Sequence, residues 1–217
     1  AAYANALYDF FWRDLCDWYI EAIKPTVADS LAQRYVLATC VDVSLRLMHP
    51  VMPFITERLF EALNEVFPQR GVEGVPLASE PMLMTAAWPA VDHGCCNGQA
   101  EREFERVQLV VSMIREVRTN MKVPPREKVE VSVRADEDML VPALVDGALV
   151  EYLANVNCVA IGTDVTKPDN AAVVVRPHIE VYLHNQLDVD AERDRLAKRR
   201  GEVEKSIATL RGRLSNE

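Results

Sequence analysis

The chain has 217 residues, 49% of them hydrophobic and 26% charged, and its 24 Lys and Arg against 33 Asp and Glu leave a net charge of −9. This balance excludes a disordered, fibrous or disulfide-dense protein and argues against a uniformly basic nucleic-acid binder. Every apolar run is shorter than the ~20 residues a spanning helix needs, and Ala1-Ala2-Tyr3-Ala4 resembles no leader segment, so a protein without membrane attachment is predicted.

Leu7, Phe11, Leu15, Trp18 and Ala22 recur at helical spacing and predict a helix over 3–24, with Phe10, Trp12 and Tyr19 widening its apolar stripe. Trp12, Trp18 and Tyr19 read as core rather than as stacking platforms. Lys24-Pro25 ends that helix. A second is predicted at 27–48, with Thr26 as its N-cap and Leu31, Tyr35, Ala38, Val41, Leu45 and Met48 inward. The two prolines of His49-Pro50-Val51-Met52-Pro53 break the chain before a third helix that ends near Phe67.

Residues 68–98 hold Gly71, Gly74, Pro76, Pro81, Pro89, Gly94 and Gly98 and read as a long connection anchored by Trp88-Pro89. A fourth helix follows from Gln99 to Lys122, with Phe104, Val107, Val111, Ile114, Val117 and Met121 inward, stopped by Pro124-Pro125. Beyond it Val129, Val131 and Val133 alternate with polar residues as a half-buried strand. A helix over 138–153, weakened by Pro142 and Gly147, and strands at 156–161, 171–175 and 179–183 complete a small α+β module. Val189, Leu196, Val203 and Leu210 then repeat every seven residues, with Ile207 and Leu214 beside them, which predicts a coiled-coil helix needing a partner. The fold class is therefore mainly α, with residues 1–124 a helical bundle, 125–186 an α+β module and 187–217 a coiled-coil helix.

Catalytic signatures are absent. The sequence has no Gly-rich phosphate loop, no Gly-x-Ser-x-Gly and no His-Glu-x-x-His. Asp14 and Asp17 read as helix surface, and the five cysteines lack framework or zinc spacing, so no metal site is predicted and a reducing, cytoplasmic setting is expected. The charge is uneven. Residues 1–98 hold 6 basic against 12 acidic residues, 99–187 hold 10 against 14, and 188–217 hold 8 against 7. Local basic surface is thus available near the fourth helix and the heptad segment.

Tyr8-Asp9-Phe10-Phe11-Trp12, Cys16-Asp17-Trp18-Tyr19-Ile20-Glu21, the run from Leu45 to Glu57 through His49-Pro50 and Pro53-Phe54, Trp88-Pro89, and Ile114-Arg115-Glu116-Val117-Arg118 with Val123-Pro124-Pro125 carry a resemblance. Together they resemble the anticodon-binding helix bundle of class I aminoacyl-tRNA synthetases. Leu187-Asp188-Val189-Asp190-Ala191-Glu192 and the charged heptads after it are similar to the valyl branch, whose C-terminal arm is a coiled coil. The resemblance covers essentially the whole chain but takes in neither the catalytic nor the editing domain.

The resemblance implies a C-terminal piece, itself without catalysis or cofactor, of a monomeric ligase that joins valine to tRNA(Val) using ATP and Mg. It implies RNA contacts from Arg115, Arg118 and Lys122 on the fourth helix and Arg34 and Arg46 on the second. On the heptad helix it implies contacts from Arg193, Arg195, Lys198, Arg199, Arg200 and Lys205 to the tRNA outer corner. For each of these, ordinary surface placement or ion pairing with Glu192, Asp194, Glu202 and Glu204 is the competing reading. Two other assignments stay open: a helical scaffold that recruits a protein, or self-associates, through its coiled coil, and an isoleucyl-type synthetase.

Overall fold

The computed structural model describes residues 2–73, 75–77, 80–90, 94, 96–184, 199–205 and 207. The chain divides into two compact units, Ala1–Gln99 and Ala100–Glu217.

The first unit opens with a continuous helical run, α1 (residues 2–23), whose central stretch Asp9–Ile20 winds as a π-helix. An i→i+5 winding carries an α-spaced stripe off one face. Accordingly Leu15 is buried, Leu7, Phe11, Trp18 and Tyr19 are half-buried, and Trp12 stays 55% exposed. Trp12 therefore departs from the expected core. Next comes α2 (Leu31–Met48), four residues later than predicted, because Ser30 and not Thr26 supplies the cap. Ser30 has extended backbone and its Oγ accepts the Gln33 N–H at 3.3 Å. The Thr26 hydroxyl instead donates to Gln33 Oε1 at 2.8 Å. Ser30→Ala is expected to cost about 1 kcal/mol. A fall of a few degrees in the thermal midpoint checks it.

Pro53, which lacks the N–H a first-turn residue would leave unpaired, starts α3 (Pro53–Val66). The long connection then contains structure of its own: β1 (Gly71–Val72) pairs antiparallel with β2 (Val75–Pro76), and Leu83–Thr85 forms a 3₁₀ turn. The core of this unit is Leu45, Phe60 and Leu83, with Val41, Leu63 and Ala86 against it.

The second unit is built on α4 (Gly98–Asn120) and a four-stranded sheet. Val107, Val110, Val111, Met113, Ile114 and Val117 are buried along α4. Chain order continues through β3 (Val129–Ala135), α5 (Pro142–Val145), α6 (Ala148–Ala154), β4 (Val156–Gly162), β5 (Ala172–Arg176) and β6 (Ile179–Leu183). The spatial order is β4-β3-β6-β5, with β3 parallel to β4 and antiparallel to β6. Alternation along β3 puts Val129, Val131, Val133 and Ala135 inward, where Val181 and Leu183 of β6 and Val156 of β4 join them. The helix predicted over 138–153 is instead a 3₁₀ turn at Glu137–Met139 and two short helices, the first opened by Pro142 and the two parted at Gly147, whose φ of +73° the right-handed path cannot continue.

The tie between α4 and this unit is covalently remote but polar. Arg115 Nη2 donates to the Leu153 carbonyl at 3.0 Å, and Glu116 accepts from Arg176 of β5 at 2.6 Å. A boundary at residue 124 would group α4 with the first unit instead. Residues 199–205 are helical, as the heptads imply, while Val189, Leu196, Leu210 and Leu214 lie outside the described residues.

Candidate nucleic-acid interface

Two of the expected RNA contacts are interior residues. Arg46 is 4% exposed; its Nε donates to Asp42 Oδ1, one helical turn back on α2, and its Nη1 donates to the Ala87 carbonyl at 2.8 Å. Asp42 is fully buried and takes a second guanidinium from Arg70, whose Nε lies 2.8 Å from Oδ2. Arg70 also donates to the Phe67 carbonyl at 2.7 Å and to Asn64 Oδ1 at 2.6 Å. Both guanidiniums lie over the Phe60 ring, 5.7 and 5.0 Å from its centre. Arg46 thus ties α2 to the connection after α3, and it is not placed to meet a phosphate.

Arg118 is likewise 4% exposed. Its Nη1 donates to the Ala154 and Asn155 carbonyls at 3.0 and 2.8 Å. Its Nη2 donates to the Pro124 and Glu127 carbonyls, both at 2.7 Å. A side chain read as helix surface is therefore the hub between the end of α4, the end of α6 and the approach to β3. The reason is geometric: a planar fork of donors can reach several carbonyls of separate segments at once.

The other described candidates are exposed. Arg34 stands on α2 in the first unit, Arg115 in the last turns of α4 and Lys122 in the turn just after it. Lys122 has φ +56°. Its N–H reaches the Thr119 carbonyl at 3.1 Å and that of Val123 reaches Arg118 at 2.9 Å. This is the paired-bond helix ending that favours glycine at the left-handed position, where a residue with a Cβ costs about 1 kcal/mol. In the heptad segment Arg199 pairs with Glu202 at 3.3 Å and Arg200 with Glu204 at 2.8 Å, while Lys205 is exposed. Arg193, Arg195 and Lys198 lie outside the described residues.

Sequence reasoning passed over Arg126 and Lys128. Both are exposed in the turn between Lys122 and β3. Their signal is the run Lys122-Val123-Pro124-Pro125-Arg126-Glu127-Lys128, three basic residues in seven within an acidic chain. Asp42 was passed over too, although its i,i+4 spacing to Arg46 marks a helix ion pair. In the first unit the Tyr8 and Trp12 rings stack with centroids 6.4 Å apart, both open to solvent.

A polar cleft of about 360 Å³ in the second unit is lined by Arg134, Asp136, Arg176, His178 and Glu180. Its charges answer one another: Arg134 pairs with Glu180, and His178 with Asp136 at 2.7 Å. Donating to Asp136 and lying beside its negative charge hold the His178 pKa above the usual imidazole value. Burial pushes the Cys158 thiol up to about 11, which marks an inert packed cysteine. Among the described residues no three His, Cys, Asp or Glu side chains gather to hold a metal, and among them no helix is long and apolar enough to cross a membrane.

What remains is a helical unit with open aromatic faces and a second unit that carries an exposed basic edge. Residues 1–133 match the anticodon-binding domain of tRNA ligase, and the chain belongs to that family. It is similar to the valine–tRNA ligase of Rhodopirellula baltica, 35% identical over 225 residues that take in 99% of this chain and 21% of that protein. Likewise it is similar to the valine–tRNA ligases of Thermotoga maritima, at 34% identity over 98% of this chain and 23% of that protein, and of Bacillus cereus, at 30% over 98% and 24%. The chain thus spans about a fifth to a quarter of the length of these relatives.

Proposed function

We propose that this chain is the tRNA-binding C-terminal region of a valine–tRNA ligase, holding tRNA(Val) by its anticodon stem-loop and outer corner. The rest of such a parent attaches valine to the tRNA with ATP and Mg. The observation that carries this reading is that similarity to valine–tRNA ligases runs across 98–99% of the chain, past the anticodon-binding match at 133. An anticodon-binding region of residues 1–124, followed by the sheet module and the arm, is the division assigned to it.

Binding in this reading has two parts. Exposed Arg34, Arg115 and Lys122, together with the basic side chains from Arg193 to Lys205, neutralise phosphates and release counterions, so affinity falls with salt. The solvent-facing rings of Tyr8 and Trp12 offer stacking surface to bases splayed from a single-stranded loop. Arg46 and Arg118 take no part in contact and act by shaping the backbone. A competition assay tests specificity. Unlabelled tRNA(Val) is expected to displace labelled tRNA(Val) at lower concentration than tRNA for another aliphatic amino acid does; equal displacement contradicts the valine assignment and leaves general tRNA binding.

A further inference from the structure

The turn after α4 has features that packing alone does not require. Lys122 occupies a left-handed position that glycine fills without strain. Pro124 and Pro125 restrict the next two backbone angles. The carbonyls of Pro124 and Glu127 accept from the buried Arg118 guanidinium, and that of Pro125 accepts from Asn155 Nδ2 at 2.9 Å. Three backbone acceptors are thereby turned toward the protein, and the outward side is left to the side chains of Lys122, Arg126 and Lys128.

Arg115 extends this edge. It lines, with Thr119, Val123, Pro125 and Asn155, a groove of about 320 Å³ floored by Arg118. The two acids in the segment from Arg115 to Lys128 are Glu116, already occupied by Arg176, and Glu127. A chain of net charge −9 therefore exposes four basic residues within this one segment, with Glu127 among them.

We propose that residues 115–128 form a preorganised phosphate-binding edge, in which Arg126 and Lys128 join Arg115 and Lys122 as contacts to an RNA backbone. Arg118 is its positioning residue. This rests on the reading of the chain as a tRNA-binding region and adds residues and a scaffold to it. A rigid basic turn suits a phosphate ladder because its backbone loses little freedom on binding, so charge neutralisation appears as affinity. The strain at Lys122 fits the same role: the residue that best ends the helix has no charge to offer.

Three variants of the full chain test this by fluorescence titration of labelled tRNA at about 0.05 and 0.2 M salt. Arg126→Gln with Lys128→Gln is expected to weaken binding roughly tenfold at the lower salt and to reduce the slope of log affinity against log salt by about 1.5. Arg102→Gln with Lys167→Gln, an equal charge change at exposed sites away from the turn, is expected to shift affinity less than about twofold. Lys122→Gly should raise the thermal midpoint, since φ +56° suits glycine, and lower affinity at the same time. If the unaltered chain binds tRNA and the Arg126/Lys128 variant matches it, or if Lys122→Gly binds as tightly as the parent, the edge is refuted and tRNA binding stands. If the unaltered chain shows no binding at the lower salt, the edge and the tRNA-binding reading both fall.

Discussion

Asp42→Ala is expected to lower the stability of the first unit by about 3–5 kcal/mol, the usual cost of removing one partner from a buried ion network. The carboxylate is fully buried and answers two guanidiniums, each also almost wholly buried. Without it the buried Arg46 and Arg70, both beside the Phe60 ring, lose the carboxylate they share and keep hydrogen bonds to carbonyls and Asn64. Two like charges left in a low-dielectric interior cannot be neutralised by losing protons, because arginine does not titrate in the accessible range. The damage therefore falls on folding. Hydrogen exchange should accelerate across α2, α3 and the β1–β2 hairpin, and the urea midpoint should drop accordingly. Asp42→Asn, which keeps shape and one acceptor, should fall between. A loss under about 1 kcal/mol for the alanine variant would contradict the network's structural role.

Arg118→Ala is the second large effect, with about 3–5 kcal/mol expected from the second unit. Four carbonyls, those of Pro124, Glu127, Ala154 and Asn155, accept from this side chain, and that of Pro124 also accepts the Glu127 N–H at 3.1 Å. Charged hydrogen bonds contribute about 1.5–3 kcal/mol each, though bonds to one group do not add. Arg118→Lys retains the charge but offers a point donor in place of a fork, so it should recover less than half of the loss. Exchange of the amides around Val123 and Asn155 is the local readout. Unchanged protection there in Arg118→Ala would show that the prolines alone hold the turn.

Much of this fold was legible in the sequence, and the misses share a cause. The alternation of Val129, Val131 and Val133 is a periodicity signal, and the strand it implied lies at the centre of the sheet. The breaks at Pro50 and Pro53 are backbone constraints that act locally, and they bracket the end of α2 and the start of α3, whereas α4 ends at Asn120, ahead of Pro124. Arg46 and Arg118 were misread because residue type argues for surface, while their burial depends on partners 41 and 36 residues away. The π-winding of Asp9–Ile20 was hidden for a different reason: spacings of three and four side chains do not say which carbonyl an N–H will choose.

The candidate site was half legible. Lys122 and Arg115 were found as basic residues on one helix face, but the helix ends at Asn120 and Lys122 belongs to the turn. Arg126 and Lys128 follow a proline pair, and residue types alone do not say which side of the resulting turn faces solvent. The heptad arginines Arg199 and Arg200 are ion-paired to Glu202 and Glu204. Such exposed pairs are worth only about 0–1 kcal/mol, so a phosphate can displace the carboxylate at small cost. Ion pairing and RNA contact are compatible for these two.

The most direct measurement is a nuclease or hydroxyl-radical footprint of tRNA(Val) in the presence of the chain at low salt. Protection concentrated on the anticodon stem-loop, fading as salt is raised, is the expected result. A tRNA cleaved alike with and without saturating protein, or protected only at the acceptor end, would contradict anticodon-arm binding by this chain.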